Sequence, residues 1–244
     1  IETKARPTVQ AVDLGTGVKW ATFNVGAFSP TEIGDYFAWG ATEPQSTYEW
    51  FNCPFQTVNT SSEGSLKFTK YLGSATSGLK DANAVNTDAA KYILDLVDDA
   101  AHVNWGSDWR MPTKEEFERL FMECYCEYVT SYDGKNVGGC IFYKVKNSAD
   151  KGKVKNTSIP APSLVGTYST SDTHIFIPFA GNKAYSSVYD INEGEYWTSS
   201  LYIKNPRKAY NAHFTSYNNF QTDLYYGTSV PDRFWGCPIR AVRP

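Results

Sequence analysis

No apolar run in this 244-residue chain approaches the roughly 18 residues that a membrane-spanning helix needs, so no membrane span is expected. A basic cluster is missing too. The formal net charge is −3, which leaves no electrostatic footprint for nucleic acid. None of the five cysteines, Cys53, Cys124, Cys126, Cys140 and Cys237, stands in a C-x-x-C pair, which excludes the usual zinc ribbon. Their odd number leaves at least one without an intrachain partner, and Cys124 and Cys126 are too close to pair comfortably. A disulfide framework is therefore not indicated. The three histidines, His102, His174 and His213, show no H-E-x-x-H or H-x-H spacing and read as satisfied structural residues. Nucleophile-elbow, Walker and Rossmann motifs are absent, and Gly15-Thr16-Gly17 is a turn. These absences predict no catalytic residue, no metal and no cofactor. Internal repeats and low-complexity tracts are also lacking.

What the chain has in quantity is aromatic side chain: 17 Tyr, 14 Phe and 7 Trp. Such a set can fill a core made of short strands, and any surplus on the surface can bind ligands. The clearest local signal is Trp105–Leu120. Thr113 suits an N-cap and Glu116, three residues on, completes a capping box. Phe117, Leu120, Phe121 and Cys124 then form one apolar stripe. Arg110 lies within the apolar approach to this helix, where it either pairs with a carboxylate or binds substrate. A second helix is predicted within 88–104, capped by Asp88, with Ile93, Leu94, Val97, Ala100 and Ala101 on one face.

Strands are predicted at Val18–Val25, Asp35–Gly40, His174–Phe179, Glu195–Ser200, Ala209–Ser216, Gln221–Tyr226 and Pro238–Val242. Tyr128–Tyr132 and Gly139–Val145 form a hairpin around Asp133-Gly134. Residues 1–10 read as a linker, and 41–86 and 146–171 as polar excursions with little regular structure. Two helical stretches followed by a run of short strands argue for an α+β class with antiparallel sheets. The late strands need early partners, so 11–244 is expected to be a single domain. The chain starts at Ile1 with no signal-like segment, which reads as a trimmed boundary.

Six ordered segments together carry a family resemblance. They are A-V-D-L-G-T-G-V-K-W-A-T-F-N-V-G-A (11–27), G-D-Y-F-A-W-G (34–40), D-A-A-H-V-N-W-G-S-D-W-R-M-P-T-K-E-E-F (99–117), I-F-I-P-F-A-G (175–181), Y-W-T-S-S (196–200) and I-R-A-V-R-P (239–244). The set closely resembles the Fibrobacter succinogenes major paralogous domain family, abundant in Bacteroides and Fibrobacter surface proteins. W-R-M-P-T-K-E-E-F-E is also similar to a run in formylglycine-generating enzymes. Those enzymes share a C-type-lectin-like fold with the variable proteins of diversity-generating retroelements. The resemblance implies that fold, on an exported protein at the cell surface of a Gram-negative bacterium. Such a protein is often a lipoprotein, with its lipid anchor upstream of this chain. Phe23 stands where the family often has cysteine and Cys237 where an aromatic is common, so no family disulfide is carried over.

An oxidase of the formylglycine-generating type needs a late cysteine pair, and only Cys237 follows Cys140. Cys237 is instead expected to be a small buried residue. Asp190, Asn192, Glu193 and Glu195 make an oxygen-rich stretch whose spacing fails the EF-hand pattern. Glu43-Pro44-Gln45 reads as an ordinary turn. Residues 214–235, rich in Tyr, Ser, Asn and Trp, have the composition of binding loops. In the related retroelement-variable proteins the corresponding region forms the ligand surface. The expected ligand contacts are Tyr217, Asn218, Asn219, Tyr226, Asp232, Arg233 and Trp235, with Asp232 and Arg233 able to pair when no ligand is present. The expected function is a non-enzymatic, surface-exposed adhesion module for a glycan or protein ligand. The alternatives are an enzyme of the formylglycine-generating superfamily and a structural subunit of a surface fibre.

Overall fold

A computed structural model describes residues 8–57, 66–73, 77–85, 91–106, 108–156, 160–215 and 230–244. The chain enters through β1 (Ala11–Asp13) and β2 (Lys19–Ala21), which pair antiparallel. After the first excursion come α1 (Ala100–Trp105) and α2 (Lys114–Glu123). A four-stranded sheet in the order β5-β3-β4-β6 follows, built from β3 (Tyr125–Val129), β4 (Gly139–Tyr143), β5 (Val154–Lys155) and β6 (His174–Pro178). Two hairpins come next: β7 (Asn182–Ala184) with β8 (Ser187–Tyr189), and β9 (Glu193–Leu201) with β10 (Ala209–Thr215). The last strand, β11 (Val242–Arg243), returns to pair with β2. The class is α+β, with small, mostly antiparallel sheets and few helices, as the sequence predicts.

Helix α2 starts where its cap chemistry demands. The Thr113 hydroxyl accepts from the Glu116 amide, and the Glu116 carboxylate accepts from the Thr113 amide at 2.8 Å. The same carboxylate takes a two-pronged ion pair from Arg110 at 2.6 and 2.7 Å, so this arginine organises the helix start. Phe117, Leu120, Phe121 and Cys124 are all buried, as the stripe requires. The hairpin turn also forms as read. Asp133 and Gly134 both have positive φ, and Tyr132 and Lys135 bond across the turn.

Tertiary contacts override the pattern elsewhere. The helix expected within 88–104 begins only at Ala100. Asp99 caps it through the amides of Ala101 and His102, and its other oxygen accepts from the Met111 amide. Ile93 and Leu94 lie instead along the edge of β9, where Leu94 donates to Ser199 and Leu201 donates to Tyr92. Of Asp35–Gly40, only Phe37 makes a bridge, to Cys237, and Pro238–Val242 shrinks to β11. Gln221–Tyr226 lies outside the described residues. The linker reading fails at its end, because Val9 packs on the core and Gln10 accepts from Thr22.

One core gathers Trp20, Phe117, Phe121, Phe142, Tyr196 and Phe214 between α2, the four-stranded sheet and β9–β10. A second gathers Trp39, Trp109, Met111, Trp197 and Ile239. The first excursion supplies a third, with Trp50, Phe68 and Leu72 against Phe234. This excursion therefore has few regular elements but a real hydrophobic interior. All five cysteines are buried free thiols.

Candidate functional site

Hairpin β9–β10 is two-faced because its residues alternate. Gly194, Tyr196, Ala212 and Phe214 face the first core, while Glu193, Glu195, Asn211 and His213 face away from it. Gly194 is obligatory here, since a Cβ would lie 2.1 Å from the Phe214 ring. The antiparallel register sets Glu195 directly opposite His213. On this outer face His213 Nε2 is 2.6 Å from a Glu193 oxygen. Asn211 donates to one Glu195 oxygen at 3.1 Å. The other accepts from Asn182, at the start of β7, at 3.0 Å. Asn182 also reaches Asp190, at the end of β8.

The wall facing this surface is the returning segment Pro231–Trp235. Backbone hydrogen bonds tie it in, with Ala209 donating to Pro231, Arg233 to Arg207 and Trp39 to Arg233, and Gly236 just after it donates to Lys183. Between wall and hairpin lies an open pocket of about 370 Å³, lined by Asp190, Glu193, Glu195, Asn211, His213 and Asp232, with Lys208 and Trp235 at its side. Four carboxylates thus face one lysine, which pairs with Asp232 at 3.3 Å. Burial pushes the Glu195 carboxyl up to about 7. His213 and the Asn182 hydrogen bond oppose that rise, and neighbouring Asp190 and Glu193 reinforce it. Burial also pushes the Cys237 thiol well above its ordinary range, in keeping with the inert, buried residue expected from the sequence.

The residues expected to contact ligand divide into three groups. Asp232 and Trp235 line the pocket. Tyr217, Asn218, Asn219 and Tyr226 fall outside the described residues, which resume at Val230 on the pocket's rim. Arg233 requires correction. It is 0% exposed, with its guanidinium 4.7 Å from the Trp39 ring and 4.6 Å from the Phe68 ring. One nitrogen donates to the carbonyls of Pro206 and Tyr71, while its Nε and Nη2 have no hydrogen-bond partner among the described residues. Burial lowers its pKa to about 10. Flanked by two aromatic faces and fully buried, it packs within the fold and not on the pocket surface.

Sequence reasoning missed the pocket's floor. It noted Asp190, Glu193 and Glu195 as oxygen-rich and took His213 for a structural residue. The available signal was the alternation E-G-E-Y against N-A-H-F, which puts acids and imidazole on one face. Nothing local states which strand pairs with which, so the meeting of Glu193, Glu195 and His213 appears only in the fold. No family model, curated protein or solved structure matches this chain.

Proposed function

We propose that this chain is a non-enzymatic binding module with a C-type-lectin-like fold, of the kind its six-segment resemblance to the Fibrobacter succinogenes major paralogous domain family implies. It acts at the outer surface of a Gram-negative cell and holds a glycan or protein ligand. The observation that carries the reading is the pocket on β9–β10. Trp235, Asp232 and Asn211 line it together, an aromatic residue with a carboxylate and an amide. Aromatic area joined to fixed polar groups suits a polyhydroxylated surface, which stacks on the ring and hydrogen-bonds at its edge. Segments positioned by a rigid sheet are also where binding residues concentrate.

The test is a glycan and host-protein array on the purified domain. For the ligand found, Trp235→Ala, Asp232→Ala and Tyr226→Ala should each weaken binding by ~1 kcal/mol or more. Melting curves of the same variants separate lost contact from lost fold. Binding that none of the three changes would place the ligand elsewhere on the molecule.

A further inference from the structure

We propose that Glu193, Glu195 and His213 bind a divalent transition ion, with zinc the best match. One ligand atom from each lies within 4.8 Å of the others. Zinc takes such atoms at about 2.0–2.2 Å, and rotation of the three side chains would have to bring them to that distance. The donor set is one imidazole nitrogen and two carboxylates, which suits zinc or its neighbours and is foreign to calcium, a cation that takes oxygen alone. The site opens on the pocket, so a fourth position stays free for water or a ligand.

Two further features point to a cation. Asn182 is 1% exposed, and its amide sits in the cluster, where Nδ2 bonds to Asp190 and Glu195. Its Oδ1 is buried with no partner among the described residues. Asn182 and Asn211 also form an outer shell, each fixing one Glu195 oxygen while leaving that oxygen a second lone pair for the metal. The positive charge would offset a pocket where Asp190, Glu193, Glu195 and Asp232 face Lys208, the one lysine among the described residues that line it. The metal site stands independently of whether the pocket binds a glycan.

Calorimetric titration of the EDTA-treated chain with zinc, and visible spectroscopy with cobalt, test it. Wild type should bind one ion and give cobalt d–d bands without a thiolate charge-transfer band. His213→Gln and Glu193→Gln should each weaken binding by more than the roughly tenfold to hundredfold that an outer-shell partner costs, and Asn182→Ala by about that amount. His102→Gln and His174→Gln should bind as wild type does. Melting temperatures in EDTA report whether each variant is folded. Should His213→Gln unfold, the half-buried Glu193 decides the matter. Failure of wild type to bind zinc, undiminished binding by folded Glu193→Gln, equal affinity for calcium, or a thiolate band from the cysteines would each overturn the proposal. Loss of glycan binding with zinc binding intact would overturn only the ligand reading above.

Discussion

Asp150 and Glu195 are both carboxylates removed from water, 0% and 7% exposed, yet their surroundings are opposite. Asp150 lies in the second excursion and is saturated with donors. The amides of Val165 and Gly166 approach at 2.9 and 2.8 Å, the Tyr168 hydroxyl at 2.8 Å and Lys153 at 3.2 Å. Burial works to raise its pKa, but these donors outweigh burial and hold the carboxyl well below the ordinary range. Glu195 receives two amide bonds and faces His213 across the strand pair, with Asp190 and Glu193 beside it. Its pKa rises to about 7. One carboxylate fastens a loop that lacks regular structure. The other is kept under-compensated beside a pocket. A buried acid with a full set of donors belongs to the fold, and one surrounded by other acids marks a place for something to bind.

Three substitutions probe that contrast. The largest effect is expected from Asp150→Asn, which turns an NH2 group against donors that all need an acceptor. Its melting temperature at pH 7 should fall further than that of the other two variants. The folded pKa is depressed, so the stability Asp150 adds is complete above the ordinary carboxylate value. It is lost as pH falls below about 4, where wild type and variant should converge. Parallel melting curves down to pH 3 would mean that the charge is not what holds the loop. Next comes Gly194→Ala, on the apolar side of β9. It should cost ~1–3 kcal/mol in urea denaturation, because Phe214 must move out of a packed core. A cost near zero would show that the hairpin's two faces are less distinct than its alternation indicates. The smallest effect is expected from Glu195→Gln in EDTA. Removing a charge that its neighbours disfavour should change stability less than Gly194→Ala does, measured by the same denaturation. A loss as large as that of Asp150→Asn would make Glu195 a structural residue after all.

Local chemistry was legible in advance wherever it was self-contained. The Thr113–Glu116 capping box, the buried stripe from Phe117 to Cys124 and the Asp133-Gly134 turn all depend on residues close in sequence. The helix expected from residue 88 was not, because Tyr92 and Leu94 form hydrogen bonds along β9, more than a hundred residues away. Arg233 misled for a related reason. A guanidinium in a polar, aromatic stretch suggests a surface contact, whereas the rings that bury it come from Trp39 and Phe68 in the first half of the chain. The pocket combines both kinds of information. Asp232 and Trp235 could be chosen from composition, but the register that sets His213 against Glu195 could not.

Arg240 has a consequence for how the chain reaches this state. Its guanidinium is bonded to the carbonyl of Ala21, the side chain of Asn24 and the carbonyl of Phe176, and β11 closes on β2 just beyond it. The contacts to Ala21, Asn24 and β2 join the first and the last tenth of this sequence. They demand closure of nearly the whole chain before they add any stability, so folding should be slow compared with that of a helical bundle of equal size. During synthesis, the strand edge of β2 and the apolar surface around Trp20 stay uncovered until β11 emerges. For that interval the nascent chain exposes surface of the kind prone to aggregation.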